Sequence, residues 1–248
     1  MALKILDVSK YQPDIDYAKV AKSVDGVILR IGITYWGKQD MDIDPCFEKH
    51  YTGFKRYGVP VGVYYYSSAD TIDVAKKEAE YTLQLMKGKQ FELPIYYDVE
   101  EGNRMNKLSK QALTNIVDTY CSIVEKAGYF VGVYSNTSWF TSKLDHAFLS
   151  KKYTIWLADY RLLYNRTLKR DMHQYTSSGT VNGISGRVDL NNCYVDFPTI
   201  IKKNGLNGFD KKPVIQTFTI KATKGDIDRF VQLAQALDIK DYTITDCN

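Results

Sequence analysis

The run Val61-Gly62-Val63-Tyr64-Tyr65-Tyr66 contains no charged residue, and its companion Gly26-Val27-Ile28-Leu29-Arg30-Ile31 contains only one. A strand with one wet face alternates apolar and polar positions. A near-continuous apolar run instead marks a strand covered on both faces, which is the signature of a parallel sheet. Outward from these two runs, similar ones follow at Leu3–Val8, Leu93–Glu100, Phe130–Ser135, Tyr153–Asp159, Met172–Tyr175 and Arg187–Leu190. Helical patterns separate the early ones. Asp44-Pro45 supplies an N-cap and first-turn proline, with Gly58 as the stop. Thr71–Lys87 places Ile72, Ala75, Ala79, Leu83 and Met86 on one side before Gly88, and Ser109–Lys126 repeats the design before Gly128. After Tyr153 the strands come closely, joined by loops. Eight strands in 248 residues predict an α/β fold, a barrel of roughly 250 residues that is irregular in its last third.

The composition excludes several classes. Thirty-three basic residues against 29 acidic ones give +4, too balanced for a dedicated nucleic-acid binder. No apolar run approaches the ~18 residues of a membrane span. Cys46, Cys121, Cys193 and Cys247 form no C-x-x-C and read as ordinary thiols, while His50, His146 and His173 show no metal-binding spacing. No metal and no cofactor are expected. The N-terminus reaches Asp7 after too short an apolar stretch for a signal peptide.

Composition shifts at Lys202–Lys212, which is polar and glycine-bearing. Beyond it Val214–Lys221 reads as a strand, Asp226–Leu237 as a helix and Tyr242–Thr245 as a strand. The division expected is a catalytic barrel over 1–204 and a small C-terminal βαβ module over 205–248. With six basic and six acidic residues that module is neutral. It falls below the ~40 ordered residues that usually fold alone. It therefore packs on the barrel, on another copy of itself or on a partner: self-association, wall docking and a purely structural appendage are the three readings.

Four acids, Asp7, Asp98, Glu100 and Asp189, fall at or near the C-terminal ends of these strands, where a parallel barrel places its chemistry. Asp98 and Glu100 are i and i+2, so both point to one side with Cα atoms roughly 6.6 Å apart. Two carboxylates that close repel, and one is driven to stay protonated beside an ionised neighbour. Glycoside hydrolysis uses that division, one acid for the leaving oxygen and one anion for the developing positive charge. The spacing leaves retention and inversion both open. For any single acid, a helix cap or a pairing with Arg30 or Lys107 is the plainer role. Tyr64, Tyr66, Tyr134 and Trp156 on strands, with Trp36 and Trp139 in adjacent loops, supply rings that stack on sugars. Of Tyr64 and Tyr66, at least one is expected in the core. Arg30 and Lys38 are candidates for acidic groups on a substrate.

These residues resemble a known family, the glycoside hydrolase family 25 lysozymes. The resemblance is carried by Asp7-Val8-Ser9-Lys10-Tyr11-Gln12, Gly62-Val63-Tyr64, Tyr97-Asp98-Val99-Glu100 and Gly132-Val133-Tyr134-Ser135-Asn136. It continues through Ile155-Trp156-Leu157-Ala158, Gln174-Tyr175-Thr176-Ser177-Ser178-Gly179 and Val188-Asp189-Leu190-Asn191, in family order across residues 3–200. The resemblance implies an irregular TIM-like (β/α)5(β)3 barrel and cleavage of the β-1,4 bond between N-acetylmuramic acid and N-acetylglucosamine in peptidoglycan. It implies Glu100 as general acid/base, Asp98 as support for the transition-state charge or the N-acetyl group, and Asp7 and Asp189 as supporting acids. Tyr64, Tyr66, Tyr134, Trp156, Gln174, Arg30 and Lys38 are the substrate-binding candidates. His173 stands where the family usually has Trp, as does Tyr17. A phage endolysin of this type is made in the host cytoplasm and acts on Gram-positive walls after release. The rival readings are a chitinase-like hydrolase of N-acetylglucosamine polymers, distinguished by its products, and a non-catalytic glycan-binding barrel, distinguished by loss of the Glu.

Overall fold

The computed structural model describes residues 2–35, 40–100, 102–161, 167–210 and 223–236. The chain divides into two compact units, Met1–Lys212 and Pro213–Asn248. The first runs β1 (Leu3–Val8), α1 (Tyr17–Val20), β2 (Gly26–Thr34), β3 (Met41–Ile43), α2 (Phe47–Arg56), β4 (Val61–Tyr66), α3 (Ile72–Met86) and β5 (Ile95–Asp98). It continues through α4 (Lys110–Lys126), β6 (Val131–Asn136), α5 (Thr137–Ser142), α6 (His146–Lys152), β7 (Thr154–Ala158), β8 (Met172–Gly179), β9 (Val188–Cys193) and α7 (Phe197–Asn204).

Each of the eight apolar runs becomes a barrel strand. β1, β2, β4, β5, β6, β7 and β8 are parallel neighbours in that order. β9 runs antiparallel to both β8 and β1 and closes the ring. Helices α1 to α6 follow the first five barrel strands, which makes this an α/β barrel of the irregular TIM-like (β/α)5(β)3 kind. The short β3, which its three residues hid from periodicity, adds antiparallel to the outer end of β2.

Local chemistry sets the ends. The Thr71 and Ser109 hydroxyls accept from the Val74 and Ala112 amides and cap α3 and α4. Gly58 and Gly128 take φ of +69° and +89° just past α2 and α4, where a Cβ would be strained. The Asp44-Pro45 start is corrected. Cys46 occupies the N-cap of α2, and the Asp44 carboxylate, which accepts from the Cys46 amide, is committed to Arg30.

Two cores result. The outer one fills the space between strands and helices, and Tyr97 of β5 stacks on Tyr120 of α4 there at 3.8 Å. The inner one fills the barrel with Ile5, Ile28, Tyr96, Tyr134, Trp156 and Met172. Phe197 and Ile201 of α7 join this inner cluster, with Phe197 against Phe130 just before β6. α7 therefore plugs the end where the parallel strands begin and leaves the opposite mouth for chemistry.

The barrel unit runs past residue 204, where composition placed the boundary. Asn207 explains the difference. It is fully buried, donates from Nδ2 to the carbonyls of Phe91 (3.1 Å) and Leu93 (3.0 Å), and accepts from the Phe130 amide at 2.6 Å. A polar, glycine-bearing stretch reads as linker, yet one side chain in it staples the leads into β5 and β6. In the second unit the expected helix is α8 (Lys224–Ala236), where Thr223 and Asp226 bond reciprocally as a capping pair. The strands expected at 214–221 and 242–245 lie outside the described residues. No described helix is long and apolar enough to cross a membrane.

Candidate active site

Strand alternation aims every second residue of β4 and β5 into the barrel. Tyr64, Tyr66, Asp98 and, just beyond the strand, Glu100 line a single cavity of about 410 Å³ at the open mouth. β1 and β9 contribute Asp7 and Asp189, which are direct register partners. Tyr134, Trp156, Gln174 and Arg30 complete the set of expected residues found there. Lys38 and Trp36 lie outside the described residues.

The backbone beneath the acids is fixed. The Asp98 carbonyl accepts from the Ser67 amide at 3.0 Å. Val99 donates its amide to the Tyr134 carbonyl at 3.0 Å, and its own carbonyl accepts from the Ser135 hydroxyl at 2.6 Å. Glu100 thus leaves a residue clamped to β6, although regular pairing of β5 has ended.

A polar network holds the other side. Asp7 Oδ2 accepts from Asn191 Nδ2 (2.7 Å) and Gln174 Nε2 (3.1 Å). Asn191 Oδ1 takes the Trp156 indole N–H at 2.7 Å, and Gln174 Oε1 takes the Tyr134 and Tyr160 hydroxyls at 2.9 and 2.6 Å. Trp156 is only 1% exposed, so it acts as the floor under the cavity, wedged edge-on against Tyr134 at 4.5 Å and Tyr96 at 5.1 Å.

All four carboxyls are raised from their ordinary values, Asp7 and Asp98 well above them. For Asp98 the main cause is burial, then the charges of Glu100 and Asp7, with Arg30 opposing them. For Glu100 it is burial, then Asp189. For Asp7 it is burial, then the Asp189 charge, against the hydrogen bonds from Asn191 and Gln174. Asp189 is raised by burial and held down by a hydrogen bond from Asp7. Asp98 Oδ1 has no hydrogen-bond partner among the described residues, so a buried acceptor stays open beside Glu100.

Several expectations need correction. Tyr64 and Tyr66 are i and i+2 and both line the cavity; the core tyrosine is Tyr65, fully buried with its hydroxyl on Thr34. Trp139 lies on α5 and is buried in the outer core, away from the cavity. His173 is not among the cavity-lining residues: it sits one step from Gln174 on β8, buried, with Nε2 on the Asp159 carbonyl at 2.8 Å. Tyr17 packs edge-on against Phe54 at 5.0 Å on the outer surface of the barrel wall. Neither departure from the family pattern touches the site. Tyr160, Asn191 and Asp44 were not legible as site residues. Neutral amides on strands carry no chemical signal, and each of the three acts through a partner distant in sequence. Among the described residues no group of three or more His, Cys, Asp or Glu is arranged to hold a metal ion.

Comparison with known proteins adds a second line of evidence. The family model Glycosyl hydrolases family 25 matches residues 6–184. The "Uncharacterized protein YegX" of Escherichia coli O157:H7 is 31% identical over 193 residues, covering 75% of this chain and 67% of its own length. The "Autolytic lysozyme" of Clostridium acetobutylicum is 26% identical over 97% of this chain and 72% of its own. Among solved structures, the modular autolysin LytC from Streptococcus pneumoniae has a TM-score of 0.67 and 33% identity over 78% of this chain. This chain spans 47% of the LytC chain, which has also been solved in complex with a synthetic peptidoglycan ligand.

Proposed function

The chain belongs to glycosyl hydrolase family 25, and we propose that it hydrolyses peptidoglycan at the β-1,4 bond between N-acetylmuramic acid and N-acetylglucosamine. The observation that carries this reading is the open mouth itself. Glu100, its proton affinity raised by burial and by Asp189, stands beside the open acceptor of Asp98 in a cavity walled by tyrosines.

The roles follow from the geometry. Glu100 gives its proton to the leaving oxygen and later takes one back from water. Asp98 supplies the negative potential that favours positive charge growing on the sugar ring, and its open oxygen accepts from the substrate's N-acetyl amide. Asp7 and Asp189 raise the proton affinity of the pair above them. Gln174, oriented by two tyrosine hydroxyls, keeps the supporting acids in place. The likeness to the Clostridium and Streptococcus autolysins supports a Gram-positive wall as the target. A phage endolysin made in the host cytoplasm and released onto that wall is the setting we propose.

The test is digestion of purified wall glycan followed by reduction of the new chain ends. Reducing ends on muramic acid are expected. Ends on glucosamine, or release from chitin oligomers at a similar rate, would replace this reading with the chitinase-like one. A second result concerns pH. Because the Asp189 charge raises the Glu100 pKa, Asp189→Asn is expected to move the alkaline limb of kcat/KM to lower pH. An unmoved limb would remove Asp189 from the proton balance.

A further inference from the structure

The cavity is electrically lopsided. Its floor holds four carboxyls, while Arg30 and the exposed ring of Tyr11 line it on the β1–β2 side, with Lys10 and Tyr35 beside them. Tyr11 lines the same cavity yet is 73% exposed, the most open large ring among the described residues. The Lys10 ammonium lies between two rings, 5.7 Å from the centre of Tyr11 and 5.9 Å from that of Tyr35, itself 40% exposed. From below, the Arg30 guanidinium approaches Tyr11 to 5.3 Å.

One acid organises this rim. Asp44 Oδ2 binds Arg30 Nε at 2.7 Å and the Lys10 backbone amide at 3.0 Å, which fixes the loop that presents Lys10 and Tyr11. Arg30 and Asp44 form a buried pair and cancel. Among the described residues no acid pairs with the Lys10 ammonium, so its charge stays uncancelled. An exposed ring beside an unpaired cation, opening onto a glycan-cleaving cavity, fits a sugar that carries an anion.

We propose that Tyr11, Tyr35 and Lys10 form a subsite for a carboxylate borne by the glycan strand, the sugar face lying on Tyr11 and the carboxylate meeting Lys10. This rests on the hydrolase reading and deepens it. The floor selects where the bond breaks, and the rim selects for acidic strands over neutral ones such as chitin. In wall glycan the carboxylate has two sources: the lactyl group of muramic acid where no peptide is attached, and the stem peptide where one is.

The experiment is calorimetric binding in the Glu100→Gln background, so that no turnover is needed. Three soluble tetrasaccharides serve as probes: peptide-free, peptide-free with the lactyl carboxyl reduced to an alcohol, and peptide-bearing. Lys10→Met is expected to weaken the peptide-free glycan about tenfold and to leave its reduced form unchanged. Loss confined to the peptide-bearing glycan would also support the subsite and would assign the carboxylate to the stem. Tyr11→Ala is expected to weaken all three, because stacking is indifferent to charge. Equal binding of every probe by the parent and by Lys10→Met would overturn the proposal. Turnover of the unmutated chain on the same glycans, measured separately, shows whether the hydrolase reading stands whatever the rim does. Lys10 is half-buried and Tyr11 exposed, on a loop whose Lys10 backbone amide, unchanged in both variants, is held by the Asp44 carboxylate, so folding is preserved.

Discussion

Glu100→Gln is expected to leave a folded protein that no longer clears cell walls. The amide keeps the size of the carboxyl and its place beyond β5, clamped through Val99, but cannot deliver a proton to a leaving oxygen. Groups that transfer protons in the transition state account for ~10²–10⁴ in rate, and the other described acids of the cavity, Asp7, Asp98 and Asp189, have been given other tasks. Asp98, two residues earlier, has been assigned the opposite task. Turbidity clearing and thermal melting on the same preparation check both halves. Clearing within a few-fold of the parent would remove Glu100 from the mechanism. A collapsed melting curve would show that the loss was one of folding. The melt is expected to hold, since removing one of several crowded, buried carboxyls relieves repulsion from Asp189.

Asp98→Asn is the second large effect, and it has two opposite signs. Turnover is expected to fall by orders of magnitude, because a neutral amide withdraws the negative potential from the developing positive charge. Stability is expected to rise. Asp98 is 3% exposed, one oxygen lacks a partner, and burial together with Glu100 and Asp7 raises its proton affinity in the folded state. The linkage fixes the direction: a carboxyl whose folded pKa lies above its unfolded value of about 3.9 favours the fold below that value and loses this contribution as the pH climbs through the folded pKa. The parent's melting temperature should therefore decline on the alkaline side more steeply than the variant's. The two curves should draw apart as pH rises. Parallel curves would show that Asp98 ionises at no cost to the fold.

Much of the barrel was legible because its parallel strands are buried on both faces and so appear as uninterrupted apolar runs. α3 and α4 were legible through their hydroxyl caps and closing glycines. α5 and α6, at six and seven residues, were not, since fewer than two turns give the hydrophobic period too little room to repeat. The acids were legible because Asp-x-Glu at a strand end forces two charges onto one face. The partners that orient them were legible only in part. Gln174 was reached through the resemblance as a substrate-binding candidate, whereas Asn191 carries no signal of its own until the barrel closes and both amides meet Asp7. Asp44 looked like a helix cap because it precedes a proline, and only tertiary structure shows that it gathers Arg30 and Lys10. The tyrosines fall between these cases. Their number pointed to a wet groove, but which of them face it depended on the pleat, and Tyr65 and Tyr97 went to the outer core.

Closure by β9 also sets the order of assembly. Asn191 donates to the Ile5 carbonyl across 186 residues of sequence, and Asp189 meets Asp7 in the same pairing. Contacts of such separation form only after the intervening strands have organised, because the entropy of closing so long a loop is spent before they repay it. A chain emerging from the ribosome therefore carries Asp7, Asp98 and Glu100 before it holds an acid floor. Catalytic competence arrives in one step, when the last strand docks against the first. Until β9 has been made, the mouth lacks Asp189 and the ring stays open.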